Sequence, residues 1–194
     1  MKECLDSIQA QTYANFKALM IDDCSKDNSA QIAGQYAQND SRFILVKKQV
    51  NEGLGMARNT GLDYLFNTLK PDNSDYIGFV DSDDVIALDY YENLIYCLES
   101  HAKQGIMVAK SFNIYRFKHE DYKSDIFAYR RWKSRGGITR KGSKIASWLA
   151  LYRAPFLEHL RYSNARLGED ITFGNIVNAL ADNCLLYTSP SPRD

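Results

Sequence analysis

The sequence predicts an α/β protein built on a doubly wound, mostly parallel sheet flanked by helices. Three observations carry that prediction. Short apolar runs alternate with helix-patterned stretches as far as residue 109. Two acidic clusters, Asp22-Asp23 and Asp81-Ser82-Asp83-Asp84, each follow an apolar run, so each falls at the carboxyl end of a strand. Ligands of doubly wound sheets bind at such ends. The chain has 194 residues, enough for one domain with a substantial core.

The elements follow in chain order. Leu5, Ile8 and Ala10 mark a helix over residues 4–11. Phe16 to Ile21 is an apolar run read as a strand, and it leads into the polar turn Asp22 to Ser29, rich in N-cap residues. Ile32, Ala33 and Tyr36 share a face of a helix from Ser29 to Ala37. Phe43-Ile44-Leu45-Val46 centres a second strand, and the glycine-containing loop Asn51 to Gly55 opens a helix from Met56 to Thr68. Tyr76 to Val80 is a third strand ending at the acidic run. Tyr91, Leu94, Ile95 and Leu98 form the stripe of a helix over 89–103, and Ile106 to Ala109 reads as a strand. Residues 111–143 mix aromatic and basic residues and read as a strand plus a long loop. Lys144 to Leu151 reads as a helix, Pro155 suits a helical first turn, and Ile171 to Leu180 is a final helix. A single domain over 1–183 results, in two parts, residues 1–109 and 110–183. Residues 184–194 read as a disordered, non-native tail.

Composition excludes little by itself. Lys plus Arg and Asp plus Glu both number 24, so net charge offers no case for a nucleic-acid partner. Between Lys110 and Lys144, however, there are 11 Lys/Arg against 3 Asp/Glu. That run is either a solvated loop or a surface for anionic lipid headgroups or a phosphorylated acceptor. The cysteines, Cys4, Cys24, Cys97 and Cys184, make no C-x-x-C pair, against a zinc site or a disulfide framework. No apolar run approaches 18 residues, so no membrane span is predicted.

The acidic run is the main chemical signal. Carboxylates one residue apart at a strand end can hold Mg²⁺ or Mn²⁺ together with waters and substrate phosphates. Taken alone, the same pattern reads first as a solvated turn that caps the next helix. A calcium loop is rejected, because Val85 and Ile86 occupy positions that need an oxygen ligand and a glycine. A response-regulator phosphoacceptor site, with Lys110 as its lysine, remains a remote alternative. Arg58 follows the loop Asn51 to Gly55, which fits neither G-x-G-x-x-G nor a P-loop. It is either a diphosphate partner or a solvent-exposed helix residue. Gly168-Glu169-Asp170 opens the last helix, where acidic residues complement the macrodipole. Only tertiary proximity to Asp83 would make Asp170 a general base.

The ordered set Gln11-Thr12-Tyr13, Ile21 to Ser29, Asn51 to Gly53, Ala57-Arg58-Asn59, Phe79 to Asp84 and Glu169-Asp170 resembles the family 2 glycosyltransferases with the GT-A fold. The resemblance is to the bacterial branch that builds capsules, lipopolysaccharides and exopolysaccharides, and it covers residues 3–183. It implies that Asp22 and Asp23 bind the nucleotide, Arg58 lies near the diphosphate, and Asp81 faces the ribose and donor sugar. It also implies that Asp83 ligates Mn²⁺ or Mg²⁺ with Asp84 in support. Asp170 would be the catalytic base beside Glu169, and Trp148 and Arg153 would lie on the acceptor side. The resemblance further implies that residues 1–109 are the nucleotide-sugar-binding part and 110–183 the acceptor-side part.

The implied reaction is a metal-dependent, inverting transfer from a nucleoside-diphosphate sugar, UDP-sugar favoured, to a glycan or lipid-linked acceptor. The implied setting is cytoplasmic, with residues 110–144 as a candidate peripheral contact at the inner face of the plasma membrane. Against the family pattern, the chain begins in the helix after the expected first strand, so that strand is read as missing. An inactive nucleotide-sugar-binding fragment and a nucleotidyltransferase remain the alternatives.

Overall fold

The computed structural model describes residues 1–100, 108–111, 115–116, 137–139, 150–165, 168–180 and 184–187. Helix α1 (Lys2–Gln9) precedes strand β1 (Ala18–Asp22), α2 (Ser29–Asn39), β2 (Phe43–Lys47) and α3 (Leu54–Tyr64). A π-helical turn, Leu65–Leu69, extends α3 and closes at Lys70, whose φ is 53°. Then come β3 (Tyr76–Gly78), β4 (Asp84–Val85), α4 (Tyr90–Ser100), β5 (Val108–Ser111), β6 (Tyr115–Arg116) and β7 (Gly137–Thr139). The chain continues through β8 (Ala150–Arg153), α5 (Ala154–Leu157), α6 (Glu169–Leu180) and β9 (Cys184–Tyr187).

The alternation of strands and helices is as expected through β3. Strands β1 and β2 pair in parallel, Ala18 opposite Phe43 and Asp22 opposite Lys47. A five-stranded sheet follows, ordered β3-β8-β5-β9-β7, and β4 pairs with β6. In this larger sheet β5–β9 is parallel, whereas β8 runs antiparallel to both β3 and β5 and β7 antiparallel to β9. The sheet is therefore mixed in its second half.

Two local expectations are corrected. The stretch Lys144 to Leu151 was expected to be helical, but Ala150 and Leu151 belong to β8 (residues 144–149 lie outside the described residues). Its position between β3 and β5 explains the change: alternate side chains enter the core on opposite faces. Ala150 and Tyr152 join one apolar cluster with Leu62, Ile77, Leu157, Phe173 and Val177. Leu151 joins the other with Ile86, Tyr90, Leu94 and Leu98. Pairing plus two-faced burial outweighs a local helical pattern. The second correction concerns residues 184–187 of the stretch 184–194, which is expected to be without structure (residues 188–194 lie outside the described residues). Cys-Leu-Leu-Tyr at 184–187 instead supplies the backbone partners between β5 and β7, as a short apolar run can.

The first cluster is rich in aromatic pairs. Tyr162 and Phe173 stack with centroids 4.0 Å apart, and Phe79 meets Tyr152, Tyr162 and Phe173 edge-on. Phe79 directly precedes Val80 and the acidic run, so this packing anchors the strand end that carries the carboxylates. The segment after α5 is fastened to α3 by Asn59. Its Nδ2 donates to the Tyr162 carbonyl at 3.0 Å, and its Oδ1 accepts from the Tyr162 amide at 2.7 Å, both buried. Asn59→Ala strands both main-chain groups of Tyr162. It is expected to cost about 2–4 kcal/mol of unfolding free energy, read from urea denaturation.

Candidate donor and metal site

The site grows from the carboxyl ends of β1 and β3. After β1, Asp22 accepts from the Ser25 amide at 3.3 Å and shapes the turn. Cys24, with φ 58°, turns the chain sharply. Asp23 is more heavily engaged. It accepts from Lys48 Nζ at 2.5 Å, from the Glu52 amide at 3.1 Å and from the Gly53 amide at 2.7 Å. Lys48 also reaches Glu52 at 3.0 Å, and its side chain is only 8% exposed. Burial raises the Asp23 carboxyl, but the hydrogen bonds from Lys48 and the two loop amides outweigh it and hold the group below the usual carboxylate range. Asp23 thus ties the end of β1 to the loop that opens α3.

This link has a signed pH dependence. The folded Asp23 titrates below its unfolded value, so its contribution is complete above about pH 4 and fades as pH falls through the lower folded value. The stability lost by wild type between pH 7 and pH 3 is therefore expected to shrink in Asp23→Asn, as thermal unfolding at the two pH values would show.

At the end of β3 the acidic run closes on itself. One carboxylate oxygen from each of Asp81, Asp83 and Asp84 can lie within 4.8 Å of the others, a spacing for a divalent cation. Asp83 is exposed, Asp81 half-buried and Asp84 2% exposed. The donor set is all hard oxygen, which suits Mg²⁺ or Mn²⁺ and not softer thiolate-seeking ions. Helix α1 and the turn after it support the next loop. Ser7 accepts from the Ile86 amide at 3.2 Å, and Gln11 donates to the Ala87 carbonyl at 2.6 Å. Cys4, buried beside this run, has its thiol pushed up to about 11, by burial first and also by Asp84, Asp83 and Asp81. The thiol form is therefore favoured at neutral pH.

Arg58 lies inside the site, so the alternative of a solvent-exposed helix residue is corrected. Its side chain is 7% exposed. Nη2 donates to Asp81 Oδ1 at 2.6 Å, Nη1 lies 3.7 Å from Glu169 Oε1, and the guanidinium sits over the Tyr162 ring at 5.2 Å. Glu169 therefore joins the acidic run through Arg58. Asp170, the next residue, is half-buried and accepts from the Ile171 amide at 2.8 Å. Gly168, with φ +79°, makes the turn that opens α6 on this pair.

Arg153, the acceptor-side candidate, lies in β8. It pairs with Tyr76 at the start of β3, opposite the end that carries the acidic run. Its Nη2 donates to the Leu98 carbonyl at 3.3 Å and lies 3.4 Å from Glu99 Oε1, and its guanidinium covers the Tyr76 ring at 5.3 Å. Antiparallel register decides this, and sequence order does not reveal it. Trp148 lies outside the described residues, as does most of the basic run 110–144. Lys48 and Tyr162 carry no signal in the sequence, and Asn59 stands there only as part of the Ala57-Arg58-Asn59 motif. Only the adjacency of Arg58 and Asn59 hinted that α3 carries a bonded polar face.

A family model described as Glycosyl transferase family 2 matches residues 1–160. The chain belongs to glycosyltransferase family 2. Among its relatives, glycosyltransferase GlyA of Streptococcus pneumoniae serotype 4 is 31% identical over 202 residues, covering 98% of this chain and 28% of GlyA. The putative glycosyltransferase EpsH of Bacillus subtilis is 36% identical over 95 residues, 49% of this chain and 25% of EpsH. Among solved structures, S. aureus TarS in complex with UDP superposes with a TM-score of 0.74 at 20% identity, covering 98% of this chain and 54% of that one. Mannosyltransferase PcManGT of Pyrobaculum calidifontis, in complex with GDP-Man and Mn²⁺, superposes with a TM-score of 0.61 at 16% identity, covering 99% and 54%. These likenesses establish the GT-A fold. This family 2 chain spans about a quarter of the two curated relatives and about half of the two structural ones.

Proposed function

We propose that this chain carries the donor site of a transferase that moves a sugar from a nucleoside-diphosphate sugar to an acceptor hydroxyl. The observation that carries the reading is the link from Asp81 through Arg58 to Glu169. It brings a cation-spaced acidic run and a carboxylate pair at a helix start into one site, at the strand ends where doubly wound sheets bind ligands. The UDP of TarS and the GDP-Man and Mn²⁺ of PcManGT support a nucleotide donor and a divalent cation.

In this reading Asp83 holds Mn²⁺ or Mg²⁺ with Asp81 and Asp84 beside it, and the ion supplies charge neutralisation at the departing diphosphate. Asp81 faces the ribose and donor sugar. Asp23, with Asp22 beside it, offers its remaining acceptor capacity to the base, UDP being the favoured nucleotide. Asp170 takes the proton of the acceptor hydroxyl as that oxygen bonds to the anomeric carbon and the bond from that carbon to the diphosphate oxygen breaks. A single displacement of this kind inverts the anomeric configuration. The acceptor is a glycan or lipid-linked saccharide, and the basic stretch 110–144 provides charge for a peripheral contact with anionic headgroups. Among the described residues no helix is long and apolar enough to cross a membrane.

Calorimetric titration of UDP and a panel of UDP-sugars, with Mn²⁺ and with EDTA, tests the reading, followed by product analysis. Cation-dependent binding and release of UDP are expected. Release of pyrophosphate would make the chain a nucleotidyltransferase instead. Binding without turnover would reduce it to a nucleotide-sugar-binding fragment.

A further inference from the structure

We propose that Arg58 is a positioning residue that couples the donor-side carboxylate Asp81 to the Glu169-Asp170 pair, and that it is not a phosphate ligand. The proposal deepens the transferase reading and rests on it. Its first ground is the geometry of the guanidinium. The two ends of the fork address carboxylates on two different elements, the loop after β3 and the start of α6. One bond is short, Nη2 to Asp81 at 2.6 Å. The other is only half made: Nη1 lies 3.7 Å from Glu169 Oε1, and it is buried without a hydrogen-bond acceptor among the described residues. A buried, charged N–H without an acceptor is rare in folded proteins. Here it is aimed at the one residue that precedes Asp170.

The second ground is how the segment bearing Glu169 reaches Arg58. It lies along the same face of α3. Asn59 clasps the Tyr162 backbone, and Gly55 lets the chains come close. A Cβ at Gly55 would stand 2.8 Å from the Ser163 carbonyl oxygen and 3.1 Å from Glu169 Cγ. Tyr162 lies under the guanidinium and stacks on Phe173 of α6. Packing thus brings α6 to the site, and Arg58 is the charged contact that sets where its first turn stops. Without Arg58, Asp81 and Glu169, with side chains 21% and 10% exposed, would face each other as like charges. Their repulsion would push the start of α6, and Asp170 with it, away from the acidic run.

The test uses Arg58→Met, Arg58→Lys, Glu169→Gln and the Arg58→Met/Glu169→Gln double variant of the whole chain. Three quantities are read: Kd for UDP with Mn²⁺, turnover of the best UDP-sugar, and amide hydrogen exchange over 162–173. Arg58→Met is expected to lower kcat by about 10²-fold, the scale of a misplaced reacting group, while Kd for UDP changes by less than tenfold. Exchange protection over 162–173 is lost in Arg58→Met and partly restored in Arg58→Lys. The double variant loses no more kcat than the worse single variant, as residues acting through one contact do.

Three results would overturn the proposal. One is an Arg58→Met whose whole loss lies in UDP affinity with kcat untouched. Another is multiplication of the Arg58→Met and Glu169→Gln losses. The last is unchanged exchange over 162–173 in Arg58→Met. If wild type binds UDP but turns over no nucleotide sugar, the transferase reading fails alone, and the exchange comparison still decides the coupling.

Discussion

Asp83→Ala is expected to remove the Mn²⁺-dependent part of UDP binding, weakening it by at least about 100-fold. Substitutions that merely support a metal ligand already cost 10–100-fold, and this one deletes a ligand of the proposed site. Asp83 suits the experiment because it is exposed, so its loss leaves the core intact. Asp84 does not, because at 2% exposure it is part of the packed interior. Titration of UDP into wild type and Asp83→Ala, each with Mn²⁺ and with EDTA, separates the cation-dependent part from the rest. The two proteins should coincide in EDTA and diverge in Mn²⁺. Equal affinity in Mn²⁺ would place the cation, if there is one, on other groups.

Asp170→Asn is expected to behave in the opposite way. UDP binding in Mn²⁺ should be unchanged within a few-fold, whereas turnover should fall roughly 10²–10⁴-fold, the range for loss of a general base. Asparagine is the substitution of choice because Asp170 Oδ1 accepts from the Ile171 amide at 2.8 Å, and an amide oxygen keeps that bond. The start of α6 should then stay formed while proton-accepting capacity is lost. Transfer that survives in Asp170→Asn would remove the base assignment and turn attention to Glu169, already committed to Arg58. Asp83→Ala and Asp170→Asn together divide the site into a half that binds and a half that reacts.

How far these residues can be recognised without the fold depends on the range of their interactions. The alternation from β1 to β3 is legible because apolar periodicity is a local property. The placement of Asp22-Asp23 and Asp81 to Asp84 at strand ends follows from the same periodicity. Arg58 is the instructive case. Its position in the chain suggests a diphosphate partner, but its burial and its two carboxylate partners appear only once the loop after β3 and the start of α6 converge on α3. Lys48 is similar: 25 residues separate it from Asp23, and nothing in its neighbours marks it as a buried partner. Arg153 is likewise placed by long-range pairing, since antiparallel register sets it opposite Tyr76 at the start of β3.

The sequence by itself therefore determined the α/β class, the order of the elements through β3 and the family of the chain. Each of these rests on short-range pattern or on motif order. Only the tertiary structure decided that Ala150–Arg153 is a strand, that 184–187 joins the sheet, and that Arg58 binds carboxylates. Those outcomes depend on partners far away in the chain: 103 residues separate Asn59 from Tyr162, and Arg58 pairs with both Asp81 and Glu169 of α6. Burial and charge pairing choose among conformations that local preference leaves open, so the links that join the acidic run to Glu169 exist only in the folded chain.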